Sequence, residues 1–474
     1  MSISQTLTDI FTPLNTYIWY IAFVFLVGLG LYFFIRLKAL PILKIKETSK
    51  LSLSGTTEGD SSKTVSSFEA FCIGIGARVG VGNIAGVAGA IIAGGPGAIF
   101  WMWIFAIIGS ASSFMESTLS QIFKEKKEDG QFHSGPAYYV QKGLKSRPLA
   151  IVLAIMIVIT FGIGFVGVQS ANSVSALANA FQFENSLYVF AAIVAFATAL
   201  IIFGGVKRIA TFSAKVVPAM AVLWLLLGAV VIVMNYDHII DAITMIFTYA
   251  FQWESAAGGL LGAVIMNGLK RGVFSNEAGL GSIANIAGTA DVKHPVKQGM
   301  IQSFGTLVDT LVVCTFSAMV ILTTFGSYEA ILATGVSKGH LIQLATEVTL
   351  GDIGPILVSL FVFIFAFTSL IGYYTMSESN IRFVSDNRAT VFAVRILVIV
   401  VAFVSAIAGA DLMELICDTF MAAMGAVNMI CVFLLSKYAF KAYEDWKEQQ
   451  AAGVEDPVFH RSILGEDSGA TEWE

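Results

Sequence analysis

The chain has 474 residues, of which 56% are hydrophobic and 13% are charged, and its mean hydropathy is +0.78. Soluble domains carry about 25% charged residues, so the composition excludes a soluble globular protein. It predicts an all-α protein that crosses the lipid bilayer many times. The net charge of −5 says little by itself, because membrane orientation depends on where lysine and arginine lie. We expect no nucleic-acid partner.

Eleven apolar runs are long enough to cross a bilayer as helices, which takes about 20 residues. The first run is too long for a signal peptide and follows no basic segment, so we expect it to remain as a span. The predicted spans are Tyr17–Ile35, Phe68–Ala93, Ala98–Phe123, Leu149–Ala180, Leu187–Phe203, Ile209–Met234, Ala257–Ala290, Gly299–Phe325, Ile353–Phe383, Thr390–Gly409 and Leu412–Ser436.

Lysine and arginine alternate between the loops that join these spans. The loops after odd-numbered spans carry them, whereas the loops after even-numbered spans carry almost none, with Lys338 as the exception. This pattern supports all the spans together. It places the N-terminus outside the cell membrane and the C-terminus in the cytoplasm. Residues 444–474 are polar and acidic, and we expect them to be flexible.

A glycine-rich stretch inside the second span, Gly74–Gly89, reads GIGARVGVGNIAGVAG. Each glycine costs about 1 kcal/mol against alanine in a helix interior. A backbone break at membrane depth is tolerated only where the freed N–H and C=O groups are buried in protein or line a cavity. We therefore predict that this span unwinds at Val79–Asn83 and offers backbone groups to a ligand.

The same pattern recurs in the seventh span, where Ser275–Ser282 (SNEAGLGS) aligns with Gly82–Gly89 (GNIAGVAG). Arg78 and Arg271 each stand five residues before the matching asparagine. Two glycine-interrupted segments at corresponding positions of two halves are typical of a transporter binding site. The alternative is a pair of kinked structural helices whose small residues allow tight packing.

The repeat extends from the second span to the eleventh. Because five spans is an odd number, the two halves cross the membrane in opposite senses and form a five-plus-five inverted repeat. An amphipathic segment between the halves, Asp237–Tyr249, predicts an interfacial helix; an outer gate and a simple connection are its alternative roles. The predicted parts are 1–67 (extra N-terminal span and cytoplasmic loop), 68–234 (first repeat, broken at 79–83), 235–255 (extracellular amphipathic connection), 256–436 (second repeat, broken at 270–279) and 437–474 (cytoplasmic polar tail).

The two predicted breaks supply the groups that an amino acid needs. Peptide N–H groups at a half-helix N-terminus receive a carboxylate, and amide side chains such as that of Asn83 donate or accept. Each asparagine could instead cap the half-helix that follows, and Gln169 could instead form an interhelical hydrogen bond. The predicted substrate-binding residues are Gly80, Gly82, Asn83, Gln169, Phe274, Ser275, Asn276, Gly279, Ser369 and Tyr373.

Two adjacent hydroxyls in the ninth span suggest a sodium site. Hard cations prefer oxygen ligands, and Thr368 and Ser369 could face carbonyls freed by the first break. The predicted sodium ligands are therefore Ala77, Gly80, Thr368 and Ser369. The alternative is that both hydroxyls bond back to their own helix.

Ionisable residues within spans are expensive and are functional candidates by default. We predict that Arg78 and Arg271 pair with Glu116, Glu277 or Asp309 and latch the cytoplasmic side, with snorkelling toward the interface as the structural alternative. The four cysteines lie in apolar runs and are expected to be small hydrophobic residues. The sequence has no metal-ligand cluster, nucleophile elbow or P-loop. We expect no catalytic residue, no cofactor and no enzymatic activity.

Three motifs carry a resemblance to a known family. They are Gly82–Ala88 (GNIAGVA), Gly94–Ala98 (GGPGA) with Trp101–Trp103 (WMW), and Gly272–Gly279 (GVFSNEAG). From about residue 51 to 436 the chain resembles the prokaryotic alanine/glycine:cation symporters. Many members carry tryptophan at the position of Tyr373 and a hydroxyl residue at the position of Val81, so the polar contacts with substrate stay open.

This resemblance implies sodium-coupled uptake of alanine or glycine, which is proton-coupled in some members. It also implies the leucine-transporter type of fold, with eleven spans. We predict a symporter that works by alternating access, and we expect it to be a monomer. A proton-coupled symporter, an uncoupled channel or facilitator, and a transporter-like sensor are the alternatives.

Overall fold

The computed structural model describes residues 3–53, 64–127, 130–252 and 260–473, and this part of the chain is almost entirely helical. Its helices are α1 (Ile3–Arg36), α2 (Leu40–Leu43), α3 (Ile45–Leu53), α4 (Ser67–Arg78), α5 (Ala85–Gly94), α6 (Ala98–Ile122), α7 (Pro136–Gly143), α8 (Arg147–Ile159), α9 (Val166–Ala180), α10 (Ser186–Ile202), α11 (Gly205–Met234), α12 (Ile239–Ala250), α13 (Leu260–Asn276), α14 (Ser282–Ala287), α15 (Pro295–Leu307), α16 (Thr315–Phe325), α17 (Tyr328–Ala333), α18 (Leu341–Leu350), α19 (Ile353–Val384), α20 (Arg388–Ala408) and α21 (Ala410–Ala451). A short antiparallel hairpin of β1 (Glu125–Lys126) and β2 (Phe132–His133) lies between α6 and α7. π-Helical turns at Thr160–Phe165 and Val308–Cys314 join α8 to α9 and α15 to α16.

Eight of the described helical stretches are long and apolar enough to cross a bilayer, so the chain is a multi-pass membrane protein. They coincide with the first, third, fourth, sixth and eighth to eleventh predicted spans. The fifth predicted span corresponds to α10, which has 17 residues. The second and seventh spans are each divided into two shorter helices, α4 with α5 and α13 with α14. The predicted start of the seventh span, residues 257–259, lies outside the described residues.

Both interrupted spans are enclosed by protein. Residues 72–88 and 271–290 are buried throughout. On one side, α6 packs against α13, α14 and α15; on the other, α9 packs against α19 and α20, and α19 reaches α4. Freed backbone groups at the two interruptions are therefore shielded from lipid, which is the condition for a broken helix at membrane depth.

The two ends of α6 identify two faces of the protein. Near its beginning, Trp101 Nε1 donates to the Ala250 carbonyl of α12 at 3.3 Å. At its end, the carbonyls of Gln121 and Ile122 accept from Trp473 Nε1, each at 3.2 Å. We call these the α12 face and the tail face. By the charge pattern, the α12 face is predicted to be the outer one.

Two segments are more ordered than the sequence suggested. Helix α18 lies in the predicted loop between the eighth and ninth spans, where it buries Leu341 and Ile342 against α16 and α19. The tail, expected to be flexible, continues α21 to Ala451 and then folds back onto the protein. Phe459 and Trp473 are buried there, because their apolar rings outweigh the acidic character of the surrounding residues.

Candidate functional site

The first interruption lies where it was predicted, and side chains bind its freed N–H groups. Helix α4 ends at Arg78, Gly80 is extended, and a 3-10 turn over Val81–Asn83 leads into α5. Asn83 Oδ1 accepts from Gly80 N at 2.9 Å, and Gln169 Oε1 accepts from Val81 N at 2.8 Å. The break is thus a set of peptide donors already aimed at side-chain oxygens.

The second interruption begins later than predicted. Helix α13 continues through Phe274, Ser275 and Asn276, and the backbone leaves the helix at Glu277, Gly279 and Gly281, all with positive φ. The alignment with the first break put the opening nearer Ser275 and Asn276, whereas the helix opens at Glu277, and the two glycines that follow adopt a left-handed backbone without a steric penalty.

A carboxylate from α6 holds this second interruption. Glu116 accepts from Gly281 N at 2.9 Å and from Gly279 N at 3.4 Å. Asn428 Nδ2 of α21 donates to the Gly279 carbonyl at 2.8 Å and to Glu116 at 3.1 Å. Glu116 therefore stabilises an unwound backbone rather than pairing with an arginine. Asn428 was not predicted from the sequence, where its only signal was an amide within an apolar span.

Four of the predicted substrate residues meet at the first interruption. A Cβ added to Gly80 would lie 2.5 Å from Ser369 Oγ and 2.7 Å from Gln169 Nε2. Gln169 Nε2 in turn donates to Tyr373 OH at 3.3 Å. A larger residue at this position would displace Ser369 and Gln169, so these side chains closely surround an open stretch of backbone.

An aromatic wall closes one side of this group. Phe274 stacks on Phe165 with ring centroids 4.8 Å apart, and Phe165 contacts Tyr373 at 5.1 Å. Gly82 lies against Phe274, since an added Cβ would be 3.0 Å from its ring. Gly279 does not belong here, because it packs against Leu26 and Met429. Phe165 was not predicted; the π-helical turn that holds it turns its ring toward the break.

Asp309 joins the two interrupted helices. Asn83 Nδ2 donates to Oδ1 of Asp309 at 2.7 Å, and Ser275 Oγ donates to its Oδ2 at 2.8 Å. Asn276 Nδ2 donates to the neighbouring Thr310 hydroxyl at 3.1 Å. Asp309 was predicted as a gating residue, but the structure places it between the two breaks, in the π-helical turn after α15.

The two hydroxyls predicted to bind sodium have different partners: that of Ser369 bonds to the interrupted helix, and that of Thr368 bonds to its own helix. Ser369 Oγ donates to the Gly76 carbonyl at 2.9 Å, and Tyr373 OH donates to the Ala77 carbonyl at 2.9 Å. These carbonyls lack helical partners because Gly80 N and Val81 N donate to side chains instead. The Thr368 hydroxyl donates to Phe365 O at 3.0 Å. It therefore bonds back to its own helix, which was the alternative to a sodium site.

The predicted arginine latch differs from the structure. Arg78 donates to the Asn276 carbonyl at 2.9 Å, to Ser113 Oγ at 3.0 Å and to Gln302 Oε1 at 3.2 Å. These partners are neutral, so Arg78 connects α4 to α13 by hydrogen bonds. Glu277 is fully buried at the second break.

Arg271 forms ion pairs with Glu414 and Asp418 of α21 rather than with Glu116, Glu277 or Asp309. Lys338 extends this network, with its Nζ 2.5 Å from Glu414 and 3.1 Å from Asp411. Lys338 lies in the loop before α18, so the network is on the α12 face, whereas the sequence analysis put both arginines on the cytoplasmic side. Burial lowers the Lys338 pKa, but the acidic partners outweigh this effect and raise it.

Comparison with known proteins gives one consistent result. A model of the sodium:alanine symporter family matches residues 4–461. The probable sodium/glutamine symporter GlnT of Bacillus subtilis (strain 168) is 43% identical over 99% of this chain and 96% of its own length. The sodium/alanine symporter AgcS of Methanococcus maripaludis is 34% identical over 92% of this chain and 97% of its own.

The fold is also similar to that of a solved structure. MhsT, crystallised in complex with L-phenylalanine, superposes with a TM-score of 0.57 over 85% of this chain and 92% of its own. The sequences are 15% identical, so this likeness concerns the fold alone.

Proposed function

This chain belongs to the sodium:alanine symporter family, which consists of transporters rather than enzymes, and from that premise we propose that it couples the uptake of a small neutral amino acid, alanine or glycine, to the entry of sodium. The observation that carries the proposal is a pair of interrupted helices linked through Asp309, in which the freed backbone groups of the first interruption face Gln169 and Ser369. Such interruptions at the middle of the membrane form substrate and ion sites in secondary transporters.

The proposed architecture follows the sequence repeat. Eleven spans form an extra N-terminal helix and two inverted halves of five, residues 68–234 and 256–436, with the N-terminus outside and the C-terminus in the cytoplasm. Support comes from the presence of one interrupted helix in each half and from the alternation of basic loops. We propose that the protein acts as a monomer in the cell membrane.

The substrate carboxylate is proposed to bind the peptide N–H groups of Gly80–Asn83, where Gln169 now accepts from Val81 N. Its ammonium group would meet oxygen acceptors on Gln169, Asn276 or the carbonyls around Phe274. The closeness of Gly80 to Ser369 and Gln169 favours a small side chain. GlnT is named for a larger substrate, so competition by glutamine is the direct test of size.

Sodium is proposed to bind the freed carbonyls near Ala77–Gly80 together with the hydroxyls of Thr368 and Ser369. Ser369 already faces the Gly76 carbonyl at 2.9 Å, whereas Thr368 must rotate away from Phe365 O to join. A cation beside the unwound backbone would offset the negative charge of a bound carboxylate. Occupancy by both solutes would then favour closure, which is the basis of coupled alternating access.

The gate on the α12 face is proposed to be the network of Arg271, Glu414, Asp418 and Lys338. It joins α13 to α21 and to the loop before α18. Ion pairs of this kind are buried only when the two helices approach each other, so they can mark a closed state. This role replaces the predicted latch of Arg78 and Arg271 on the cytoplasmic side.

The deciding experiment is uptake of radiolabelled alanine and glycine into proteoliposomes under separate sodium and proton gradients. Accumulation above the external concentration with sodium alone supports the proposal. Accumulation with a proton gradient alone would favour the proton-coupled alternative; a carrier named sodium/proton-dependent is among the relatives. Equilibration without accumulation would indicate a facilitator and would contradict the proposal.

A further inference from the structure

The end of the chain, residues 452–473, forms a strap across the tail face. It begins where α21 ends, and Gln449 pairs with Val458 to reverse the chain: Gln449 Nε2 donates to Val458 O at 2.8 Å, and Val458 N donates to Gln449 Oε1 at 2.9 Å. The strap then runs back toward α6. Its reversal is thus fixed by two hydrogen bonds rather than by a loose turn.

The first anchor of the strap is Phe459. Its backbone N–H donates to the Lys293 carbonyl at 3.0 Å, and its ring lies 5.2 Å from the ring of His294. Asp456 pairs with Lys293 at 2.9 Å. Lys293 and His294 belong to the link between α14 and α15, so this anchor holds the helix that follows the second interruption.

The second anchor is Trp473. Besides donating to the last carbonyls of α6, its indole ring contacts Lys124 at 4.6 Å and Phe459 at 5.3 Å. The side chain of Gln121 in turn donates to the carbonyls of Ala287 and Ala290 at 2.6 Å and 2.9 Å. Trp473 therefore fastens to the point where α6 and α14 are already joined.

The third anchor reaches the other group of helices. Lys142 Nζ of α7 donates to Thr471 Oγ1 at 2.9 Å. A Cβ added to Gly469 would lie 2.8 Å from the Lys142 carbonyl, and Gly469 has a φ of +81°. Helix α7 packs against α8, which continues into α9 and its partners α19 and α20. The strap thus contacts the group of α6 and α14 directly and is connected to the group of α8 and α9 through α7.

We propose that this strap is an autoinhibitory clamp, which holds the two groups of helices together on the tail face and slows the opening of the transporter to that side. The inference rests on the proposed transport function, because opening to the tail face must separate α14 and α4 from the group of α8, α9 and α19. Every such separation stretches or breaks the contacts of Trp473 or Thr471. The strap therefore stabilises the closed tail face relative to the open one.

The test compares single substitutions in the reconstituted full-length protein. Trp473→Ala removes the α6 anchor, and Thr471→Val removes the hydroxyl that binds Lys142 and the adjacent Glu472. Val458→Ala is the matched control, because that side chain is 41% exposed and its backbone bonds remain. We expect the initial rate of sodium-driven alanine uptake to rise about fivefold in Trp473→Ala, by less in Thr471→Val, and not at all in Val458→Ala.

A second measurement does not depend on transport. Backbone amides of α14 and of the beginning of α4 should exchange hydrogen faster in Trp473→Ala and Thr471→Val than in the wild type. Uptake that is unchanged or reduced in both folded variants, with unchanged exchange, would overturn the clamp. A wild-type protein without sodium-driven uptake would refute the proposed function instead. The hydrogen-exchange comparison would still test whether the strap holds the tail face closed.

Discussion

The side-chain amide of Asn83 donates to the carboxylate of Asp309 at 2.7 Å, and this bond connects the first interrupted helix to the second. The other oxygen of Asp309 accepts from Ser275 of α13 at 2.8 Å. A buried carboxyl group with donors on both helices links their positions, since losing either donor leaves one of its oxygens with fewer hydrogen bonds. We therefore expect movement of one interrupted helix to be passed to the other.

We expect Asn83→Ala to abolish uptake while the protein inserts into the membrane normally. The substitution removes the acceptor of Gly80 N and a donor to Asp309, so the 3-10 turn loses its shape and the site its alignment. A decrease of at least about 100-fold in initial uptake rate is expected. Retained uptake in membranes with equal protein content would show that this break does not bind substrate.

Two glycines of the same stretch make a matched pair. In Gly80→Ala the new Cβ would lie 2.5 Å from Ser369 Oγ and 2.7 Å from Gln169 Nε2, whereas in Gly86→Ala nothing lies closer than 4.0 Å. We expect Gly80→Ala to lose substrate binding and Gly86→Ala to keep it, with slightly higher stability because alanine favours α5 by about 1 kcal/mol. The measurement is binding of labelled alanine to each purified variant. Equal binding by the two variants would contradict the proposed site.

The proposed sodium site predicts different effects on sodium dependence for substitutions of two serines of α19. Ser369 donates to the Gly76 carbonyl of the interrupted helix, whereas Ser377 donates to Tyr373 O of its own helix. We expect Ser369→Ala to raise the sodium concentration for half-maximal uptake about tenfold, since one hard oxygen ligand is lost. Ser377→Ala should leave the sodium dependence unchanged, and a parallel shift in both variants would point to a general loss of packing.

The ion network on the α12 face predicts a loss of coupling rather than of binding. Arg271→Gln leaves Asp418 and Glu414 without their main partner, so the closed state becomes less stable by at least about 1–3 kcal/mol. We expect uptake to fall about tenfold while equilibrium binding of alanine persists. Lys270→Gln is the comparison variant, because that neighbour donates to Asn15 at 3.1 Å and acts on Asp418 only through its charge, so its uptake should fall less. A loss of binding in Arg271→Gln would assign the arginine to the substrate site.

We predict that His294 makes the stability of the protein depend on pH. Burial lowers the His294 pKa from 6.5 to about 4, although Asp445, at 3.0 Å, opposes this. The neutral ring is needed, because its Nδ1 accepts from Val296 N at 3.2 Å. The unfolded state therefore binds more protons between these two pKa values, and stability is lost as the pH falls from about 6.5 toward about 4.

The measurement is the thermal unfolding midpoint in detergent across this pH range. His294→Asn keeps a capping oxygen at the start of α15 and removes the titrating group. We expect the midpoint of the wild type to fall by several degrees more than that of the variant over the same interval. Equal slopes would mean that His294 stays uncharged in both states or is charged in both.

The position of the first interruption was predicted more accurately than that of the second. The first was placed correctly at Val79–Asn83, because closely spaced glycines and one asparagine in an apolar run leave few alternatives. The second was placed too early, at 270–279, because the alignment weighted Ser275 and Asn276. The backbone opens at Glu277–Gly281, where Glu116 and Asn428 from distant helices satisfy its freed groups, and sequence spacing carries no information about such partners.

Composition and the order of residues were enough to determine the class of protein, the existence of two interruptions, the position of the first and the family resemblance. These features are local: they depend on hydrophobic length and on glycine within one segment. Only the tertiary structure decided that Asp309 joins the two breaks, that Arg271 faces Glu414 and Asp418, and that the tail is anchored by Phe459 and Trp473. Each of these contacts links residues from separate helices, and their energies depend on burial and donor geometry, which exist only after the helices have packed.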